Sequence, residues 1–332
     1  MACDDIACDE DLLIYIYSLI EVISAKEDVN ILKCPDRRCR ASDFAPLYSL
    51  LYFLEDMIAE MKRRGCSHEI ISDTLNEFDM EIDDYYKCFG RSGIRTYTAW
   101  LITFVRVEIL RIGKLQFQIK KLTDKIKVFK KDDDVKILID GADMHQKGMV
   151  FGSAQQADEE GRYFADIKEH GDAVSGYAAN EFGECVPEML TLKGYKEILS
   201  KDDYVISVHI PSDGSLDYEL CEKSYKNAEE LFVRYYPEYK FKAFVCFSWL
   251  MEKRLKTILG KETNITRFAD EYFAYPVVSD GNDIYLFLYN LPSPVPACEL
   301  PEKSSLQKKV KNYLESGNVF YSKGGIRLFK YK

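Results

Sequence analysis

No run in this 332-residue sequence is apolar and long enough to cross a bilayer. The longest near the start, Leu12 to Val22, is broken by Ser18 and Glu21. Residues 1–11 are acidic, without the basic segment that opens a secretory signal. No membrane partner is expected, and the expected compartment is the cytoplasm. Ser248 has no nucleophile elbow around it, because Cys246 and Leu250 stand where G-x-S-x-G needs glycines. No catalytic triad is visible, which counts against a hydrolase. Recognition-helix and RNA-binding motifs are missing, and a net charge of −10 disfavours a nucleic-acid backbone as partner. Histidine is scarce, four in the chain, so candidates for acid–base work are few.

Zinc-type cysteine knuckles are also wanting. Cys3/Cys8 and Cys34/Cys39 each enclose four residues, looser than the usual structural zinc pairs. The ten cysteines are therefore expected to be free thiols in a reducing compartment, with no metal bound. Cys246, inside a predicted core strand, is expected to act as a small hydrophobe.

What is present is enough core for two domains. Hydrophobic residues make up 47% and charged ones 30%, and 23 Tyr and 19 Phe supply aromatic surface to bury. The first third has helical spacing. Leu12, Ile16, Leu19, Ile20 and Ile23 form one stripe. Ser42 is predicted to cap a helix that runs from Asp43 to Met61, with Lys62, Arg63 and Arg64 in its last turn and Gly65 after it. Ser67 is predicted to cap a third helix ending near Gly90. Its acidic side, Asp73, Glu77, Asp79, Glu81, Asp83 and Asp84, is expected to be solvated, since no Glu-x-x-His pair accompanies it. A fourth helix is predicted from Thr96 to Ile112. Arg106 and Glu108 interrupt its apolar face and imply ion pairing, or a binding role at the domain junction.

Residues 1–113 are thus expected to be an all-helical domain, and residues 114–332 a mixed-sheet α/β domain. Leu115, Phe117 and Ile119 alternate with polar residues as in a half-buried strand. Strands are also predicted at Ile126–Phe129 and Val135–Ile139, with the turn at Asp132–Asp134. Arg106 to Lys131 holds nine Lys or Arg against two acids, a local charge of +7. That patch suits either an anionic ligand or strand edges guarded by lysine. Residues 140–186 read as loop-rich, with a short helix within Gln155–Phe164. A helical turn is predicted at Gly194–Ser200.

The strongest pattern lies in the second half. Tyr204–Ile210 is a β-rich run stopped by Pro211. Ser212, Asp213 and Gly214 form a turn, and a helix follows from near Asp217 to Tyr236. The turn has neither P-loop nor dinucleotide spacing, yet a turn before a helix start can hold an anion. Phe241–Phe247 is a central-strand candidate that passes into a helix at Ser248 and Trp249. Ligands of α/β proteins sit where strands pass into helices. His209 reads either as a strand histidine satisfied by its surroundings or as a general base, and Ser248 either as an N-cap or as a substrate-orienting group. Later elements are a strand within Ile265–Val278, a strand at Ile284–Leu288, a helix at Leu306–Leu314, and a hairpin turning at Gly324–Gly325.

Several segments carry a family likeness. They are Tyr97-Thr-Ala-Trp100 through Arg106-Val-Glu108, Arg111-Ile-Gly113 and Leu115-Gln-Phe117. Val208-His-Ile-Pro211 with Gly214 and Leu216, and Ala243-Phe-Val-Cys246 through Ser248-Trp-Leu250, continue it. Asn264-Ile265 with Phe268, and Ser305-Leu-Gln307, complete it. In these the chain resembles bacterial GNAT-like acyltransferase-domain proteins, which place a helical N-terminal domain before a GNAT-like C-terminal domain. The resemblance implies an acyl-CoA- or acetyl-CoA-dependent N- or O-acyltransferase with a small-molecule acceptor; a monomer or weak homodimer is expected. The alternative is a non-catalytic GNAT-like protein that binds a small molecule or a protein. The Gln/Arg-x-x-Gly-x-Gly/Ala loop that usually holds the coenzyme pyrophosphate is not found. Ser212, Asp213 and Gly214, or the helix start at Ser248 and Trp249, are expected to substitute, with Arg106 and Arg111 meeting phosphate or acceptor. His209 is the expected base, and Ser248 the group that orients substrate or protonates the leaving thiol.

Overall fold

The chain's first helical stripe folds as expected. In the computed structural model, which describes residues 9–27, 32, 35, 40–211 and 213–330, α1 spans Glu10–Ala25. The Asp9 carboxylate accepts from the Leu12 N–H at 3.2 Å, and Leu12, Tyr15, Ile16, Leu19 and Ile23 are buried along one face. Cys3, Cys8, Cys34 and Cys39 lie outside the described residues. Among the described residues six cysteines are free thiols, no cluster of metal-ligating groups occurs, and no helix is long and apolar enough to cross a membrane.

The structure divides into two units. One holds the residues up to Gln118 with Arg234–Tyr236, and the other Ile119–Val233 with Pro237–Lys332. The first unit continues with α2 (Arg40–Tyr52), α3 (Leu54–Arg63), α4 (His68–Leu75), α5 (Glu77–Phe89) and α6 (Thr98–Val105). Ser42 is not a cap. It lies buried inside α2, and its hydroxyl donates to the Pro35 carbonyl. Buried Asp43 anchors this unit. It accepts from the Tyr85 hydroxyl at 2.6 Å and pairs with Arg91 Nε at 2.6 Å.

Glu77 corrects the solvated-face expectation. It is 3% exposed and accepts from Trp100 Nε1 at 2.9 Å and Gln116 Nε2 at 2.6 Å. Glu81, one turn on, has its carboxyl pushed up to about 8 by burial and then by the neighbouring Glu77 charge. The predicted fourth helix is half right. Val107 takes φ 53°, which ends the helix, and Ile109–Ile112 turns into strand β1. β1 pairs antiparallel with β2 (Leu115–Lys121) across a two-residue turn at Gly113, φ 64°. A short apolar run fits helix or strand equally, and the turn decided it.

The second unit is two packed sheets. One has the order β10-β3-β4-β8-β7, with β9 on β8. Its strands are β3 (Ile126–Lys131), β4 (Asp134–Ile139), β7 (Lys168–His170), β8 (Ala173–Ala179), β9 (Cys185–Lys193) and β10 (Lys196–Leu199). The loop-rich expectation for 140–186 gives way to short strands, which include the β5–β6 pair (Ala142–His145, Arg162–Ala165). Strands of three or four residues, such as β7 and β6, are too short to show a clear alternation in sequence. The predicted turn of helix at 194–200 is β10, paired with β3.

The other sheet runs β11 (Tyr204–His209), β12 (Ala243–Ser248), β14 (Lys323–Leu328) and β13 (Phe273–Pro276) in that order. Its helices are α7 (Tyr218–Tyr235), α8 (Leu255–Leu259), α9 (Asn264–Asp270), α10 (Asp283–Tyr289) and α11 (Ser305–Glu315). The predicted strand at 284–288 is helix α10, closed by Asn290 in the left-handed region. The predicted Gly324–Gly325 hairpin is instead the interior of β14. A Cβ on Gly324 would lie 2.1 Å from the Tyr275 ring, and one on Gly325 2.9 Å from Met251 sulfur, so both glycines admit bulky neighbours. Val205, Ala243, Val245, Tyr275 and Ile326 meet Ile126, Val128, Ile137 and Ile139 in the main core.

Candidate active site

β11 is buried on both faces, at Val205, Ile206, Ser207 and Val208. It pairs in parallel with β12 through Ile206↔Phe244 and Ser207↔Val245. There the register ends. Both strands run on, one to His209 and the other to Ser248. Adjacent parallel strands that continue beyond their last rung leave an opening at the carboxyl end of the sheet, where α/β folds place ligands.

Strand alternation assigns the faces. Ser207 and Val245 are partners, so His209 and Phe247, each two residues further, share that face. Ser248 has the parity of Phe244 and belongs to the other face. Phe244 meets Tyr225 of α7 edge-on at 5.1 Å, so α7 covers Ser248's face. The Ser248 hydroxyl accepts from the Leu250 N–H at 3.1 Å and caps a 3-10 turn over Trp249–Met251. Trp249 is 7% exposed and packs edge-on against Phe320.

His209 is half-buried. Burial, and then the positive charge of Lys120, push its imidazole down to about 3. It is therefore neutral at any ordinary pH. Asp213 and Gly214 are exposed, Gly214 with φ 109°, and Ser212 lies outside the described residues. The Asp217 carboxylate accepts from the Leu220 N–H at 3.0 Å and caps α7. That helix opens with a carboxylate already at its positive end.

Arg106 and Arg111 both belong to the first unit. Arg106 Nη2 donates to the Val22 and Glu27 carbonyls at 3.2 and 2.8 Å, at the carboxyl end of α1. Arg111 is buried, and its Nη1 reaches Met80 sulfur at 3.2 Å.

Sequence reading passed over a buried ion pair beside β12. Lys323, opposite Ser248 on β14, is 0% exposed and lies 3.1 Å from Glu252, itself 1% exposed. Arg254 Nη1 joins at 2.6 Å from Glu184, and Lys323 Nζ also donates to the Phe182 carbonyl. Burial lowers the Lys323 ammonium, and the Glu252 charge opposes that shift. Nothing in the local sequence marks this pair, because Glu252 and Lys323 are 71 positions apart and meet only through sheet order.

Comparison with known proteins agrees with this architecture. Residues 3–107 match the N-acyltransferase N-terminal domain, and residues 109–327 match the GNAT-like C-terminal domain. No protein of curated function matches. A solved acyltransferase in complex with decanoyl-CoA has TM-score 0.63 and 18% identity over 96% of this chain and 77% of its own. An acyltransferase mutant in complex with octanoyl-CoA has TM-score 0.63 and 16% identity over 95% and 76%. An acyltransferase in complex with decanoyl-CoA and teicoplanin has TM-score 0.62 and 16% identity over 95% and 76%. At such identity these structures speak for the fold, and the domain matches speak for the family. The chain belongs to the GNAT-like acyltransferase family, an N-acyltransferase N-terminal domain followed by a GNAT-like C-terminal domain.

Proposed function

We propose that this protein transfers an acyl group from acyl-CoA to the amine or hydroxyl of a small-molecule acceptor. The observation that carries the reading is the parallel pair β11–β12, whose rungs stop at Ser207↔Val245 while His209 and Phe247 continue past them. Proteins of similar fold are solved with octanoyl-CoA and decanoyl-CoA, and the same co-substrate class suits the opening here. The acceptor nitrogen or oxygen attacks the thioester carbonyl, His209 takes the acceptor's proton, and the tetrahedral intermediate collapses. The C–S bond breaks, and the leaving coenzyme thiolate takes the proton that His209 received from the acceptor. The lowered imidazole is unprotonated but weakly basic, so it takes the proton only as the acceptor bonds to the carbonyl carbon and its own proton becomes acidic. The peptide N–H groups facing across the opening are the donors for the developing oxyanion. Ser248 acts through its cap, holding the start of the turn at Trp249, and Asp213 and Gly214 lie on the loop by which the coenzyme enters. The protein is read as a cytoplasmic monomer or weak homodimer that does not bind nucleic acid.

A binding-only protein is the second reading. The observation that favours it is the Asp217 carboxylate on α7, at the helix end where a pyrophosphate would otherwise be welcome. Calorimetric titration with acetyl-, octanoyl- and decanoyl-CoA tests the first reading. Saturable binding of at least one is expected, and silence across all three removes the transferase. Release of free coenzyme thiol in the presence of amine acceptors separates the enzyme from the binding protein.

A further inference from the structure

Phe247 breaks the burial pattern of its own strand. Val245 and Cys246 are each 1% exposed, and Phe247 is 46% exposed. Three neighbours explain this. Opposite it on β14 stands Gly324, which has no side chain. Tyr275 rises over that glycine and meets the Phe247 ring edge-on at 6.3 Å and 84°. On the β11 side the rungs have already stopped, and the matching position is His209. Phe247 thus has an aromatic wall on one side and, on the other, a strand with which its own no longer pairs.

Resting on the acyl-transfer reading, we propose that Phe247 is a specificity-determining residue whose ring receives the acyl carbons next to the thioester. A thioester carbonyl within reach of an attacking group that His209 serves must lie near the level of His209. Phe247 occupies that level on the same face of the neighbouring strand. The first methylenes of the chain therefore run onto its ring and toward Tyr275. Acyl carbons have no polar groups to satisfy, so a phenyl surface without hydrogen-bonding atoms suits them, and it offers nothing specific to the amides of the pantetheine arm.

The test titrates wild-type protein and the variants Phe247→Ala and Phe247→Leu with free CoA, acetyl-CoA and decanoyl-CoA. Expected is unchanged affinity for free CoA in all three proteins. Decanoyl-CoA should weaken about tenfold in Phe247→Ala and by a smaller factor in Phe247→Leu. If Phe247→Ala fails to fold by circular dichroism, the ratio in Phe247→Leu decides. Equal weakening of free CoA and decanoyl-CoA would make Phe247 a structural or pantetheine contact and overturn the assignment. So would an unchanged decanoyl-to-CoA ratio in protein that binds both. Wild-type protein that binds none of the three removes the transferase reading itself, and this one with it.

Discussion

His209 and Phe247 occupy matching places on adjacent parallel strands, each two residues past the last shared rung, Ser207↔Val245. One is the sheet's only strand-end imidazole among the described residues, and the other is a half-exposed ring. The chemistry proposed here needs a proton acceptor and an apolar rest at one level of one face, and the register supplies both.

His209→Asn should separate binding from turnover. The amide keeps a polar group of similar size but does not take up a proton at neutral pH. Decanoyl-CoA affinity is expected to stay within about twofold of wild type, while acyl transfer falls by about 10²–10⁴-fold. A variant as active as wild type would end the base assignment.

Acid and alkaline limbs of the stability profile should have different owners. The His209 imidazole sits at about 3 in the folded protein against an ordinary 6.5. Between those values the unfolded chain binds a proton that the folded one does not. This contribution is therefore complete above 6.5 and is lost as pH falls toward 3. Glu81 runs the other way, at about 8 against 4.5. Its folded form holds a proton that the unfolded chain has shed, so stability is complete below 4.5 and declines as pH rises toward 8. Melting temperatures from pH 4 to 9 should show His209→Asn flattening the acid limb and Glu81→Gln flattening the rise-in-pH loss. Unchanged slopes in both variants would contradict the assignments.

Gly324→Ala should strike the core of the second unit. Its Cβ would meet the Tyr275 ring at 2.1 Å, and Tyr275 is held there by its hydroxyl, which donates to Asp124 at 3.1 Å. Overpacking of this kind costs about 1–3 kcal/mol. Chemical denaturation should show that loss, and a second change, Tyr275→Leu, should make the combined cost less than the sum. Strict additivity would mean that the two side chains do not collide.

Two changes in the first unit should lower stability without touching ligand binding. Glu77→Ala leaves the buried Gln116 amide and the half-buried Trp100 N–H without this acceptor, at a cost of about 2–4 kcal/mol, and Glu77→Gln should cost less. Arg106→Met removes two bonds to carbonyls at the end of α1, at about 1–2 kcal/mol. Acyl-CoA affinity lost in Arg106→Met without loss of stability would return that arginine to the binding site.

Local sequence was a good guide where an element makes its own pattern. The α1 stripe, the Ser67 cap, β11, α7 and β12 lie within a few residues of their predicted bounds. It misled where a short apolar run had to choose between periods, as at Ile109–Ile112 and Asp283–Tyr289. Glycine pairs misled it too. Gly324 and Gly325 look like a turn and are a strand, because their role is to leave room for Tyr275 and Met251.

The site divides in the same way. His209 was legible as a histidine at the end of a β-rich run before proline, a pattern contained in a few consecutive residues. The sequence by itself determined the helical first unit, the strand–turn–helix around His209, and the family, since each depends on spacing along the chain. Only the tertiary structure decided that Ser248 faces away from His209, that Phe247 faces with it, and that Glu252 finds Lys323. Which strand lies beside which, and at what register, is set by long-range packing, and no local run of residues encodes it.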